Sequence, residues 1–426
     1  MGRRIRILKP LTTGGKGFLA IFAGTATGQL LAILASPLIT RLFSPSDFGI
    51  LSIVSALALT VTPLASLRFE LAIPLARDGV PVRALIGLAM SAVLISLVLG
   101  TLLLVVASVF CDDLSMEPQL RNWLWVVPAL ASSMALFQIL NVLAIRQARY
   151  TAIARRNILQ ASTMIAVQLL AGLLGYRVGG LLGGLLVGQV VGTVSLLSGA
   201  HLLERRRRPR LTAGELGSSL RRYKKFPLLL APAGFLNSLG VQAPLLLIAY
   251  WYGGAAAGWF GLTQRVLAVP AMLVGQAVAQ VFLSEIAEAR RTGSNRELAI
   301  FAAASKRLGL VGFAGSVLVI AIAPSAFESV FGPQWRESGL MAQALAITLA
   351  AQLLASPVSQ TLIVYERTAV QLAWDTARLV VVVATILISA ANGHSLMFTV
   401  WAYGIASTIA YLISWELSRR SIVRDA

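Results

Sequence analysis

Apolar runs near the length of a bilayer core recur from end to end of these 426 residues, and they leave few folds open. A helix needs roughly 20 mostly apolar residues to cross a membrane. Lipid offers an exposed backbone no hydrogen-bond partner, so such runs must be helices. Twelve crossings are predicted, at 17–40, 47–67, 84–110, 123–145, 157–175, 178–202, 226–251, 257–283, 308–327, 340–364, 370–391 and 396–415. The first follows a basic start but is too long for the apolar core of a signal peptide, so it reads as a retained helix. With 57% hydrophobic and 12% charged residues and a mean hydropathy of +0.79, the composition is far from that of a soluble domain.

The net charge of +19 is the other constraint. Threading the chain through twelve crossings puts 30 of its 36 lysines and arginines on one side and four (Arg41, Arg121, Arg177, Arg336) on the other. By the positive-inside rule both termini are cytoplasmic. The basic balance is therefore an orientation signal, and no nucleic-acid partner is expected. The strongest charge run, Arg205–Arg210, sits in a basic cytoplasmic linker at 204–225, where it meets anionic head groups. It separates an N-terminal six-helix lobe at 1–203 from a C-terminal six-helix lobe at 226–426.

Because six is even, both halves enter the membrane the same way, and weak echoes link them. Phe43–Gly49 (FSPSDFG) parallels Tyr252–Gly258 (YGGAAAG), and Asn141–Arg149 parallels Gln360–Thr368. Parallel repeats of this kind place substrate between them in transporters.

Several chemistries are excluded. The single cysteine, Cys111, rules out an internal disulfide, and with two histidines, His201 and His394, no metal site is expected. No phosphate-binding glycine loop of the ATPase type occurs, and no loop is long enough for a catalytic domain. Asp112, Asp113 and Glu117 read as a solvated outer connection. No cofactor is expected, and a transporter is favoured over an enzyme.

Removing the loops leaves three ionisable residues at depth: Arg265, Asp375 and Arg378. A charge at the bilayer centre costs on the order of 2.5–3.5 kcal/mol, so each should face a partner or water. Asp375 and Arg378 lie one turn apart and either pair with each other or extend a wet face with Gln371. Arg265, Gln276 and Gln280 share a stripe suited to a hydrated passage, or Arg265 snorkels to the outer surface. An arginine fork suits phosphate oxygens. Asn237 and Gln242 in the seventh run, with Thr25 and Gln29 in the first, add groups suited to sugars. Gly180, Gly184, Gly188 and Gly192 form a small-residue ridge for close helix packing.

The segment from Ala32 to Asp78, through SPSDFG (Ser44–Gly49) and RFELAI (Arg68–Ile73), resembles bacterial oligosaccharide flippases. These are the O-antigen and exopolysaccharide exporters of the multidrug/oligosaccharidyl-lipid/polysaccharide (MOP) superfamily. The resemblance implies an all-α polytopic membrane protein of the bacterial inner membrane, with two six-helix lobes around a central cavity. It implies export of an undecaprenyl-diphosphate-linked oligosaccharide by alternating access, alongside other polysaccharide-assembly proteins. Arg41, Asp47, Arg68 and Glu70 fall in its motif positions and are candidates for gating. Asp375 is the candidate for coupling to a proton or sodium gradient. Rival readings are a drug–cation antiporter of the same superfamily, a membrane polymerase or ligase, and a scaffold without transport.

Overall fold

The computed structural model describes residues 13–77, 79–110, 118–198, 211–294 and 296–423. Cys111, Asp112, Asp113, Glu117, His201 and the Arg205–Arg210 run lie outside them. The described residues are helical, with turns and no strands. In chain order the helices are α1 (Thr13–Leu42), α2 (Pro45–Ala65), α3 (Val80–Phe110), α4 (Pro118–Arg121), α5 (Val126–Arg146), α6 (Tyr150–Leu173) and α7 (Arg177–Leu197). After them come α8 (Ala213–Arg222), α9 (Ala231–Thr292), α10 (Glu297–Phe331), α11 (Arg336–Val358), α12 (Gln360–Val364), α13 (Thr368–Ala391) and α14 (Leu396–Val423). Ten helical segments among the described residues are long and apolar enough to cross a membrane. α9 is broken at Gly253, whose φ of 85° only glycine adopts readily. α6 falls outside the ten and carries Arg155, Arg156, Asn157, Gln160 and Gln168.

The chain forms two compact units. The first comprises Met1–Ile39 and Val54–Leu239. Its core runs through Phe69, Ile73, Leu85, Ile86, Ile139 and Tyr223. The glycine ridge of α7 lies against α6: an added Cβ at Gly188 would stand 2.7 Å from Met164 Cβ, and one at Gly192 would stand 2.9 Å from Gln160 Cβ. Backbones can approach this closely only where no side chain intervenes. After α2, Leu67 and Arg68 adopt left-handed φ and turn the chain into a 3₁₀ segment, Phe69–Leu75. Arg146 at the end of α5 fixes that segment by donating to the Ile73 and Ala76 carbonyls.

The second unit comprises Thr40–Ile53 and Gly240–Ala426. The α1–α2 turn joins it through specific contacts. Trp335 Nε1 donates to the Thr40 carbonyl at 3.0 Å, and Gln334 Nε2 donates to the same oxygen at 2.9 Å. Phe48 packs edge-on against Trp335, with centroids 4.9 Å apart. Gly49 lies against the Gly254 backbone and Gly258 against that of Pro45. The two turns matched by sequence, FSPSDFG and YGGAAAG, therefore touch.

Candidate functional site

A cavity of about 470 Å³ opens inside the second unit, between the two arms of α9 and helices α11, α13 and α14. Its walls are Leu267, Leu345, Leu349, Leu379 and Val382, with Pro244 of α9. Its polar groups are Gln242, Gln264, Thr348, Gln352, Arg378, Tyr403 and Tyr411. One side chain there is cationic and none is a carboxylate.

Arg378 is half-buried. Its guanidinium lies 5.4 Å from the Trp374 ring centroid and 5.8 Å from that of Tyr411, within range of cation–π attraction. Its Nε has no hydrogen-bond partner. Asp375 does not pair with it; instead Asp375 Oδ2 accepts from Gln371 Nε2 at 3.1 Å. Both carboxylate and guanidinium thus stay free of the mutual ion pair that their one-turn spacing allowed. Among the described residues, the amides of Gln242, Gln264 and Gln352 make no protein hydrogen bond. Thr348 is satisfied, donating to the Gly404 carbonyl at 2.7 Å. The cavity therefore offers one cation, three unengaged amides and two phenols, a set suited to a phosphorylated, hydroxyl-rich ligand.

Of the residues singled out from sequence, the cavity takes in Gln242 and Arg378. Arg265 is half-buried, and its neighbour Gln264 lines the cavity in its place. Gln29, Asn237, Gln276 and Gln280 are exposed. Thr25 lies in the first unit, where its hydroxyl accepts from Asn157 Nδ2 at 3.0 Å. Arg41 is exposed and reaches the Ser329 carbonyl at 3.4 Å.

Asp47 caps α2. Its Oδ2 accepts from the Ser44 amide at 2.9 Å and the Ser44 hydroxyl at 2.7 Å, while its own amide donates back to Ser44 Oγ at 3.2 Å. This reciprocal pair is a capping box, with Pro45 at the first helical position. Arg68 and Glu70 form an ion pair at 3.6 Å in the first unit, with Glu70 2% exposed and neither of its oxygens hydrogen-bonded. The Arg68 guanidinium lies on Gly234, where a Cβ would come within 2.6 Å of Nε.

Sequence reasoning missed Arg156, counting it among the charges of a connection. It is 5% exposed, two turns into α6, and its guanidinium stacks 3.3 Å from the Phe137 ring centroid. Nη1 donates to Asn157 Oδ1 at 3.0 Å and Nη2 to Gln189 Oε1 at 3.2 Å. Gln160 Nε2 donates to the same Gln189 oxygen at 2.6 Å. With Thr25 and Asn157, these groups tie α1, α5, α6 and α7 together.

A match to the polysaccharide biosynthesis protein family covers residues 38–340. The chain belongs to that family. A teichuronic acid biosynthesis protein of Bacillus subtilis (strain 168), TuaB, is 24% identical over 184 residues, a stretch that spans 43% of this chain and 38% of that protein. Among solved structures, the lipid II flippase MurJ in an inward closed conformation superposes with a TM-score of 0.71 at 12% identity, covering 96% of this chain and 89% of MurJ. An inward-facing multidrug resistance MATE transporter gives 0.60 at 15% identity, with 95% of each chain covered. A MOP superfamily transporter from Pyrococcus furiosus, described as having a binding pocket of reverse polarity, gives 0.55 at 15% identity and 96% coverage of each. The fold is that of the MOP transporters, and the protein is a multi-pass membrane protein.

Proposed function

We propose that this protein flips an undecaprenyl-diphosphate-linked oligosaccharide across the bacterial inner membrane, by alternating access, in the assembly of an O-antigen or exopolysaccharide. Both termini are cytoplasmic in this reading. Twelve crossings follow if α9 contributes its two arms about Gly253 and α6 crosses despite its polar residues. The observation that carries the proposal is the cavity: Arg378 beside three unengaged amides, with no carboxylate in its lining. A guanidinium held by aromatic faces keeps its donors for phosphate oxygens. Amides and phenols accept and donate to sugar hydroxyls without demanding one stereochemistry. The lipid tail stays in the bilayer while the head group crosses.

A drug–cation antiporter would need the opposite polarity. An organic cation entering this cavity would meet a like charge and no acid, so the single arginine argues against that rival. The experiment is a leaflet assay in cells that depend on this chain. Arg378→Ala should trap lipid-linked units in the cytoplasmic leaflet, and Arg378→Lys should restore part of the export. Efflux of cationic dyes by the wild type, or loss of polymer without trapped lipid-linked units, would overturn the proposal in favour of an antiporter or of a polymerase or ligase.

A further inference from the structure

Between α8 and α9 the chain runs through a short π-helical turn, Phe226–Leu230, in which the Ala231 amide reaches back to the Phe226 carbonyl. Just before it come Arg221, Arg222, Lys224 and Lys225, all exposed. Arg222 stacks on Tyr223, 5.6 Å from its ring centroid. Arg221, Lys224 and Lys225 form no ion pair with any described residue. The nearby acid of α8, Glu215, is engaged in capping that helix, accepting from the Thr212 amide at 2.8 Å.

The apolar side of the same surface is equally unpartnered. Leu228 is 67% exposed and Leu229 63%. Each follows a lysine by four residues, Lys224 to Leu228 and Lys225 to Leu229, and the Leu228 amide bonds the Lys224 carbonyl at 3.2 Å, closing that turn. Each ammonium therefore stands one turn from a leucine. The 3₁₀ segment packs beside this turn.

The surface is rigid rather than a loose tail. Tyr223 is buried in the core with Phe69 and Ile73, and the Phe226 ring is 6.0 Å from it. Leu211 and Leu216 seat α8 on α3 at Gly87, each within 3.7 Å of where a Cβ would stand.

We propose that this surface is a binding site for an anionic glycerophospholipid, its phosphate held by Arg221, Lys224 and Lys225 and its acyl chains laid along Leu228 and Leu229. The pairing of free cations with leucines one turn away matches the step from head group to hydrocarbon at a membrane edge. A nucleic acid would leave the leucines without partners, and a soluble anion would not use them.

The site is independent of the transported substrate, so its test does not depend on export. The full chain is purified in detergent with equal amounts of phosphatidylglycerol and phosphatidylcholine of matched chains, and retained lipids are counted by native mass spectrometry. The wild type should retain the anionic lipid about tenfold more than the zwitterionic one, as expected for a few basic groups acting together. The triple variant Arg221→Gln, Lys224→Gln, Lys225→Gln should lose that preference. A control that removes three exposed cations elsewhere, Arg155→Gln, Lys306→Gln, Arg307→Gln, should keep it. Leu228→Ser with Leu229→Ser should reduce retention of long-chain phosphatidylglycerol at unchanged charge. The proposal fails if the triple variant keeps the preference or if the control loses it equally. It fails also if inorganic phosphate displaces the lipid, because the site would then be a plain anion site.

Discussion

α6 and α13 are both 24 residues long, and each is preceded by a turn closed in the same way. Ala148 and Glu366 take left-handed φ of 54° and 56°, and the following amides, of Arg149 and Arg367, bond back to the Ala144 and Leu362 carbonyls at 2.9 and 2.7 Å. Both helices end at a left-handed glycine, Gly175 and Gly393, before α7 and α14. In this register Arg156, Asn157 and Gln160 of α6 correspond to Trp374, Asp375 and Arg378 of α13. The ridge Gly184, Gly188 and Gly192 of α7 corresponds to Ala402, Ala406 and Ala410 of α14.

The two pairs share a backbone plan and part company over charge. In the first unit the glycines let α7 close on α6, and the polar groups bond one another around a buried guanidinium. In the second, Trp374 takes the position of Arg156 and donates its indole N–H to the Ala410 carbonyl at 2.8 Å. The arginine sits one turn further on, facing the cavity. Arg156 spends both terminal nitrogens in holding helices together and keeps only its Nε unpartnered, whereas Arg378 turns its guanidinium, Nε also unpartnered, to the cavity. Depth in the membrane alone does not mark a site; what decides is whether neighbours consume the hydrogen-bonding capacity.

Arg156→Met should strike hardest. Losing two charge-assisted hydrogen bonds and leaving the Gln189 carbonyl with one donor costs about 3 kcal/mol. Thermal unfolding in detergent should show this, with export per folded molecule unchanged. An export defect at normal stability would break the contrast. Arg378→Ala should do the reverse. Losing a phosphate contact worth about 2 kcal/mol lowers export about 30-fold, while the unfolding midpoint holds.

A smaller effect separates the two ridges. Gly188→Ala drives a methyl against Met164 Cβ and the Gln160 carbonyl oxygen, at 2.7 and 2.8 Å, and should cost about 2 kcal/mol. The counterpart Ala406→Gly should cost about 1 kcal/mol, from helix propensity. Equal costs in the two unfolding curves would mean the ridges pack alike. The smallest change is expected at Asp375→Asn, which keeps an acceptor for Gln371. Export should change less than about threefold and lose its dependence on an imposed pH gradient. An unaltered dependence would remove Asp375 from coupling.

Some of this was readable from particular residues. The glycine spacing in α7 announced a packing ridge, and the ridge lies on α6. Arg378 stood out as a charge amid apolar residues and lines the cavity. The S-x-x-D spacing of Ser44 and Asp47 fits the capping box at the start of α2, a local role that Asp47 holds besides its motif position. Arg156 escaped because an arginine near a helix start looks like an interfacial anchor, and sequence does not say how far the helix has already entered the core. Gln264, Thr348, Gln352, Tyr403 and Tyr411 escaped for another reason. Their helices are apolar nearly all round, so periodicity does not say which face meets a neighbour.

The sequence by itself determined that this chain is a bundle of membrane helices and which residues are too polar for lipid. Its charge partition also set an expected orientation. Those properties are additive along the chain: each run and each basic loop acts by its own transfer free energy. Only the tertiary structure decided which polar residues satisfy one another and which remain open. That outcome depends on helix rotation and close approach, fixed by packing among segments far apart in the chain. Arg156 and Arg378 read alike as letters, and a ridge of glycines in one helix against alanines in the other accompanies their different fates.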